Sequence, residues 1–212
     1  IPLFGEYASN GVRIRKGAIN FKEGRDNPTG IYKDLIAIAN KEGVITKDNN
    51  NIYISYKPND PKKMKIVVID HIRKLKSERN WQMKQVIDTM SEYMVELRNL
   101  LGYTFVPILH TNRNLASTDK LSYFKNDIYP TSNDLKDSGN LGEDCNYLFT
   151  TFNPNDDQYA LKKHFDLDIR DSKGNILYPN LRTIHLVSSR HGEFPRHYKS
   201  NMFGNIKKFE KI

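Results

Sequence analysis

The chain has 212 residues, of which 33 are Lys or Arg and 25 are Asp or Glu, so its formal net charge is +8 at pH 7. That length allows one large domain or two small ones with a real core. No apolar run approaches the roughly 18 residues of a membrane-spanning helix, and no signal-peptide pattern is seen. The single cysteine, Cys145, excludes an internal disulfide and a cysteine-based zinc site, which fits a reducing cytoplasm. The positive charge favours a polyanionic partner, nucleic acid first.

The first part of the chain predicts two strands and a helix. A short apolar run at residues 1–4 is typical of a strand, and Glu6 closes it. Apolar residues at helical spacing predict a helix over residues 31–42, which Gly43 ends. Alternating residues then predict a strand over residues 52–56.

Residues 64–72, Met-Lys-Ile-Val-Val-Ile-Asp-His-Ile, form the stretch around which the sequence is organised. Four consecutive β-branched residues predict a strand buried on both faces, in the middle of a parallel sheet. Asp70 ends that strand, and ligands of open α/β sheets gather beyond the carboxyl ends of strands. This is the pattern of a Walker B aspartate, which helps to hold the Mg²⁺ of a bound nucleotide. Buried strands also end in Asp by chance, so the pattern alone does not establish that Asp70 is a Walker B aspartate.

The next elements predict a βαβ unit. Residues 81–101 carry one apolar stripe at helical spacing, and Gly102 ends that helix. A short strand follows over residues 106–109, with Pro107 at its start, where a missing N–H is tolerated. The order strand, helix, strand with short connections implies a parallel pair and a right-handed crossover.

Two more strands are predicted over residues 147–152 and 183–187, each preceded by a long polar segment. A terminal hairpin is predicted to turn at Gly204. The predicted fold is α/β, with a mostly parallel sheet flanked by helices and a C-terminal β-hairpin, in a single domain over residues 1–212.

Polar residues follow four of the predicted strands: Glu6, Asp70, His110 and Arg190. In a parallel sheet these four strand ends lie at one edge, whereas chance would scatter polar residues between both edges. The coincidence predicts a functional site at that edge.

With these residues, the chain resembles the DnaB-type replicative helicases, which are hexameric RecA-like motors that move along single-stranded DNA. The most specific segment is S-N-D-L-K-D-S-G-N-L-G-E-D at residues 132–144, which is similar to the family's N-S-D-L-R-E-S-G-S-I-E-Q-D-A-D. Shorter matches are the strand ending at Asp70, the pair Asn112-Arg113, and the turn Arg190-x-Gly192. The resemblance covers residues 64–212 well and the preceding residues loosely, and it implies a RecA-like motor domain, of a phage-encoded protein.

The resemblance implies a role for each residue at the nucleotide. Asp70 would orient Mg²⁺ and so bind the cofactor ATP, and His110 would sense the γ-phosphate and relay its presence to the DNA loops. Arg190 would act as an arginine finger on the nucleotide of the neighbouring subunit. The family has Lys where this chain has Ser188, which removes one positive charge from the cofactor site. Glu6 would be the general base that orients the attacking water.

The resemblance also implies contacts to DNA. The loop that carries Lys136, Asp137 and Gly139 would grip the phosphates of single-stranded DNA, and Arg113 would contribute from the preceding motif. Backbone N–H groups together with a cation suit a protein that binds DNA regardless of base sequence, because phosphates carry no sequence information.

No G-x-x-x-x-G-K-[ST] phosphate loop occurs in the sequence. The expectation is therefore an N-terminally incomplete domain, inactive alone, from a ring helicase that meets a primase or helicase loader in the host cytoplasm. One alternative is a non-catalytic DNA-binding or structural protein that kept the fold and lost the loop. A RecA-like recombinase or another ring ATPase is a second alternative, against which the segment at residues 135–139 argues.

Overall fold

The structure is a computed structural model that describes residues 26–78, 80–111, 118–135, 139–206 and 208–212. Its helices are α1 (Pro28–Glu42), α2 (Met83–Leu101), α3 (Thr118–Phe124) and α4 (Gly139–Asp144). Its strands are β1 (Gly43–Lys47), β2 (Tyr53–Pro58), β3 (Ile66–Ile69), β4 (Thr104–Pro107), β5 (Tyr147–Phe152), β6 (Lys163–His164), β7 (Leu167–Asp168), β8 (Leu181–Ser189), β9 (Arg196–Phe203) and β10 (Lys208–Lys211).

Helix α1 begins at a side-chain cap and leads directly into a hairpin. The Asn27 side chain accepts a hydrogen bond from the Gly30 N–H at 2.7 Å, and Pro28 takes the first helical position. Gly43 follows the helix as predicted, and it opens β1. A Cβ at Gly43 would overlap the Lys57 carbonyl of the paired strand β2, so the close approach of the two strands requires glycine here.

Helix α2 connects two parallel strands. Gln85 accepts a hydrogen bond from the Gln82 N–H at 2.9 Å at its start, and Gly102 ends it with a left-handed φ of 70°. Strands β3 and β4 pair in parallel, in a register that places Ile69 beside Pro107. The predicted strand–helix–strand unit is therefore confirmed. Six residues of the predicted apolar stripe are buried, together with Ser91: Val86, Ile87, Met90, Met94, Leu97 and Leu101.

Strand β3 is buried on one face rather than on both, so that part of the prediction is wrong. Ile66 and Val68 are 56% and 58% exposed, whereas Ile69 is 8% exposed. Successive side chains of a strand point to opposite faces, and among the described residues packing is seen only on the face toward α2. A run of four β-branched residues does not reveal whether the second face is covered.

Pro107 lies at the end of β4, not at its start as predicted. Thr104 donates its N–H to the Lys65 carbonyl at 2.9 Å, and Ile108 donates to the Ile69 carbonyl at 3.0 Å. Alternate residues of a strand direct their N–H groups toward the same neighbour, and Thr104 and Ile108 direct theirs toward β3. The nitrogen of Pro107, one position before Ile108, therefore points away from β3. Its missing N–H therefore removes no hydrogen bond from the pair.

The largest sheet among the described residues is antiparallel, with the strand order β10-β9-β8-β5. The predicted terminal hairpin is confirmed as β9 and β10, and the two predicted strands before it are β5 and β8. The mostly parallel sheet is not confirmed, since within the described ranges only β3 and β4 pair in parallel. Apolar alternation along a strand does not specify its direction, which is set by its partners.

Three clusters of buried side chains hold these elements together. One joins α1 to the C-terminal half of α2, and a second joins α2 to Ile69, Ile72 and Leu141 of α4. The third fills the antiparallel part around Ile169 and Leu181. The carboxyl end of β3 is therefore anchored to two helices. Among the described residues, no helix combines the length and apolar character that a bilayer span requires.

Candidate functional site

The carboxyl ends of β3 and β4 bring two of the predicted site residues together. Asp70 follows the last residue of β3, and His110 lies three positions beyond the last residue of β4. Backbone hydrogen bonds continue past both strands, since the Ile72 N–H donates to the Ile108 carbonyl at 3.1 Å. The two strand ends are thereby held side by side, as the βαβ prediction requires.

His71 joins this pair, although no motif in the sequence marks it. Its ring meets the ring of His110 edge to face, with the centroids 4.4 Å apart. Its Nδ1 is buried, and no described residue makes a hydrogen bond with it. Burial of the ring, then the neighbouring His110 and Lys74, lower the pKa of His71, while Asp70 acts in the opposite direction. Adjacency to Asp70 was the sequence signal that could have found this residue.

The Asp70 carboxylate suits a hydrated Mg²⁺. It is exposed, and no hydrogen bond or ion pair joins it to another described residue. Mg²⁺ keeps several waters and binds proteins through one or two carboxylates together with substrate phosphates, rather than in an all-protein cage. An exposed carboxylate at a strand end fits the ion.

The segment after His110 contacts the start of the predicted DNA loop. Thr111 forms an isolated antiparallel bridge with Leu135, which directly precedes the loop. Gly139 is the first residue of α4, so the loop runs from that bridge into the N-terminus of this helix. His110 is thus one residue from a backbone contact to Leu135, the residue that precedes the loop. The predicted residues Glu6, Arg113, Lys136 and Asp137 lie outside the described residues.

Arg190 and Ser188 lie at the other end of the parallel unit. The Arg190 N–H donates to the Asn146 carbonyl at 2.9 Å, and Arg98 in the last turn of α2 donates to Asn146 Oδ1 at 2.9 Å. Helix α2 runs back from the carboxyl end of β3 to the amino end of β4, so its last turn lies at the amino ends of both strands. Within one copy, the structure does not bring Arg190 to Asp70.

The antiparallel pairing explains this departure from the predicted single edge. Strand β8 ends beside the start of β5, where Ser188 pairs with Leu148. The Arg190 guanidinium is exposed and donates from Nη2 to the Glu143 carbonyl at 2.6 Å. Arg190 therefore occupies an outer surface of the molecule, beside the C-terminal end of α4.

Comparison with known proteins identifies the fold. No family model matches the sequence, and no curated protein matches it significantly. A DnaB-like replicative helicase, described with its interactions with primase, is similar in structure, with a TM-score of 0.61 and 16% identity over 89% of this chain and 36% of the helicase. The solved ATPase domain of a second helicase gives a TM-score of 0.61 and 15% identity over 91% of this chain and 54% of that one.

These similarities confirm the predicted structural resemblance to DnaB-type helicases. The chain spans about a third of one solved structure and about half of the other, by the shares of 36% and 54%. At such low identity the similarity establishes a mixed α/β fold of the helicase ATPase type.

Proposed function

We propose that the chain is part of an ATP-dependent replicative DNA helicase motor that moves along single-stranded DNA as a ring. In this proposal ATP is hydrolysed between subunits, the ring is a hexamer, and a primase or a helicase loader is a partner. The observation that carries the proposal is the meeting of Asp70 and His110 at adjacent strand ends, in a chain with the fold of a helicase ATPase domain.

Asp70 and His110 are proposed to face the phosphates of ATP. When bound, Mg²⁺ neutralises the charge that develops on the transferred phosphoryl group. Asp70 orients the hydrated ion through its exposed carboxylate. His110 donates a hydrogen bond to the terminal phosphate, so its contact is made with ATP and lost with ADP.

Arg190 is proposed to complete the site of a neighbouring copy. An arginine beside the terminal phosphate stabilises negative charge in the transition state and needs an exposed guanidinium. Arg190 is exposed and bonds to Asn146 beside the last turn of α2, at the other end of the parallel unit from Asp70, so in this proposal it serves the Asp70 of a neighbouring copy. Ser188, on the same strand, would line that interface without adding charge.

The bridge between Thr111 and Leu135 supports a coupling of nucleotide to DNA. A shift of His110 upon loss of the terminal phosphate would act on Thr111 and, through the bridge, on the loop that begins after Leu135. That loop, with Lys136, Asp137 and Gly139, and Arg113 before it, is proposed to hold the DNA backbone. An excess of positive charge, +8 for the chain, favours the same polyanion.

The test is DNA-stimulated ATP hydrolysis by the full-length protein. We expect Arg190→Ala to lower kcat by about 10³-fold or more, because an arginine finger contributes on that order. We expect Asp70→Asn to remove the Mg²⁺ dependence of nucleotide binding and with it the activity. Asp168→Asn and Arg196→Ala, at exposed positions of β7 and β9, are matched controls for lost charge and should retain activity.

The same measurement separates the proposal from its rival, a non-catalytic DNA-binding protein. That rival binds single-stranded DNA but shows no ATP hydrolysis even with DNA present. If either site variant hydrolyses ATP like the wild type, the role assigned to that residue is wrong.

A further inference from the structure

His71 and His110 are held in one arrangement by the strands that carry them. Each follows the end of a strand in the parallel pair, and the backbone hydrogen bond from Ile72 to Ile108 closes the gap between the two segments at 3.1 Å. Ile72 itself is fully buried. The backbone beneath His71 is therefore fixed by core packing, which makes its ring a rigid neighbour for His110.

The ring of His110 has less support of its own. It is exposed, and no described residue makes a hydrogen bond with its side chain. Among the described residues its ring contacts that of His71, edge to face at 4.4 Å. An exposed imidazole with free torsions samples several rotamers, and an aromatic neighbour in T-shaped contact selects among them.

We propose that His71 is a positioning residue, whose ring holds the imidazole of His110 in the orientation that meets the terminal phosphate. The inference rests on the proposed function, because it assigns His71 to the same site. It differs from the role of Asp70, since His71 acts through another side chain and not on the metal ion.

The contact that carries the inference is made by ring surface. The buried Nδ1 of His71 has no hydrogen-bond partner among the described residues, so that nitrogen does not connect it to His110. A phenyl ring at position 71 should therefore preserve the positioning, and a methyl group should lose it. This difference separates positioning from a direct role of the His71 nitrogens.

The kinetic test is a double-mutant cycle in the full-length protein. We expect His71→Ala to lower kcat about fivefold with little change in KM, on the order of what one aromatic pair contributes. His71→Phe should restore most of that loss. In a His110→Ala background, His71→Ala should cause no further loss, because nothing is left to position. An equal loss in both backgrounds would overturn the proposal.

A spectroscopic readout tests the contact without relying on hydrolysis. The ring protons of His110 should shift in the NMR spectrum of His71→Ala and return toward their wild-type positions in His71→Phe. Unchanged His110 signals in the alanine variant refute the contact even if activity falls. If the wild type does not hydrolyse ATP, the proposed function fails while this readout still decides on the ring contact.

Discussion

A single hydroxyl, that of Thr183 in β8, connects two buried histidines, His164 of β6 and His185 of β8. His164 Nδ1 lies 3.0 Å from the Asn126 carbonyl, which only accepts, so Nδ1 carries the proton. Burial lowers the pKa of His164 to about 4, so the ring is neutral and its Nε2 accepts from the Thr183 hydroxyl at 3.3 Å. The Thr183 oxygen in turn accepts from His185 Nε2 at 2.8 Å. Nδ1 of His185 is then left to accept from His197 at 2.7 Å.

This chain of hydrogen bonds makes Thr183 costly to replace. Thr183→Val keeps the shape of the side chain and removes the hydroxyl, which leaves one nitrogen each of His164 and His185 buried without a partner. We expect a loss of about 1–3 kcal/mol in the free energy of unfolding. Urea denaturation measures it, and Thr151→Val, on the exposed face of β5 in the same sheet, is the matched control. Equal midpoints for the two variants would contradict the assigned network.

At the scale of elements, the histidines of β6, β8 and β9 give the antiparallel part of the molecule a pH-dependent stability. Burial lowers the pKa of His164 to about 4 and that of His185 to about 3. Asp127 opposes the shift at His164 and His197, while Lys199, which is paired with Asp166, adds to it at His164. Because the unfolded chain binds these protons first, the stabilisation is complete above about pH 6.5 and is lost as pH falls toward 4.

The expected outcome is a fall in the free energy of unfolding between pH 6.5 and pH 4. Each unit of pKa shift is equivalent to about 1.4 kcal/mol, so His164 contributes on the order of 3 kcal/mol to this fall. His164→Gln should flatten the pH dependence, since its amide donates to the Asn126 carbonyl without titrating. Denaturation curves at several pH values provide the measurement, and an unchanged slope in His164→Gln would contradict this origin.

The sequence predicts an element well where a local pattern specifies it. It fails where pairing with a distant segment specifies the direction or position of the element. The stripe and the terminal Gly102 place α2, and the strand–helix–strand order is enough to bring Asp70 beside His110. The direction of β8 relative to β5 depends on pairing between distant segments, so the location of Arg190 was not predictable from local pattern. The contact of His71 with His110 was missed for a related reason, because it needs the register of two strands.

At the scale of the whole molecule, the positions of the proposed site residues imply a heterologous interface. Asp70 and His110 lie beyond the carboxyl ends of the parallel pair, and Arg190 lies near its amino ends, beside the last turn of α2. Helix α2, with 19 residues, runs back from the carboxyl end of β3 to the amino end of β4, so the two groups lie at different ends of the parallel unit. Contacts between unlike ends of identical copies generate rings when the rotation closes, which agrees with the proposed assembly.

This geometry predicts complementation between two inactive variants. Full-length Asp70→Asn and full-length Arg190→Ala are each expected to be inactive, because every interface lacks one of the two groups. In rings assembled from an equal mixture, an interface is intact when Asp70 comes from an Arg190→Ala copy and Arg190 from an Asp70→Asn copy. Random assembly makes roughly a quarter of interfaces intact, so about that fraction of wild-type ATP hydrolysis should return if the interfaces act independently.

The control for this mixture is a doubly substituted chain, Asp70→Asn with Arg190→Ala, combined with each single variant. No such mixture contains an interface with both groups intact, so none should regain activity. Native mass spectrometry shows whether mixed rings form in the first mixture. If they form and ATP hydrolysis does not return, Arg190 does not serve a neighbouring site. Its exposed guanidinium beside the Glu143 carbonyl would then be a surface contact of its own copy.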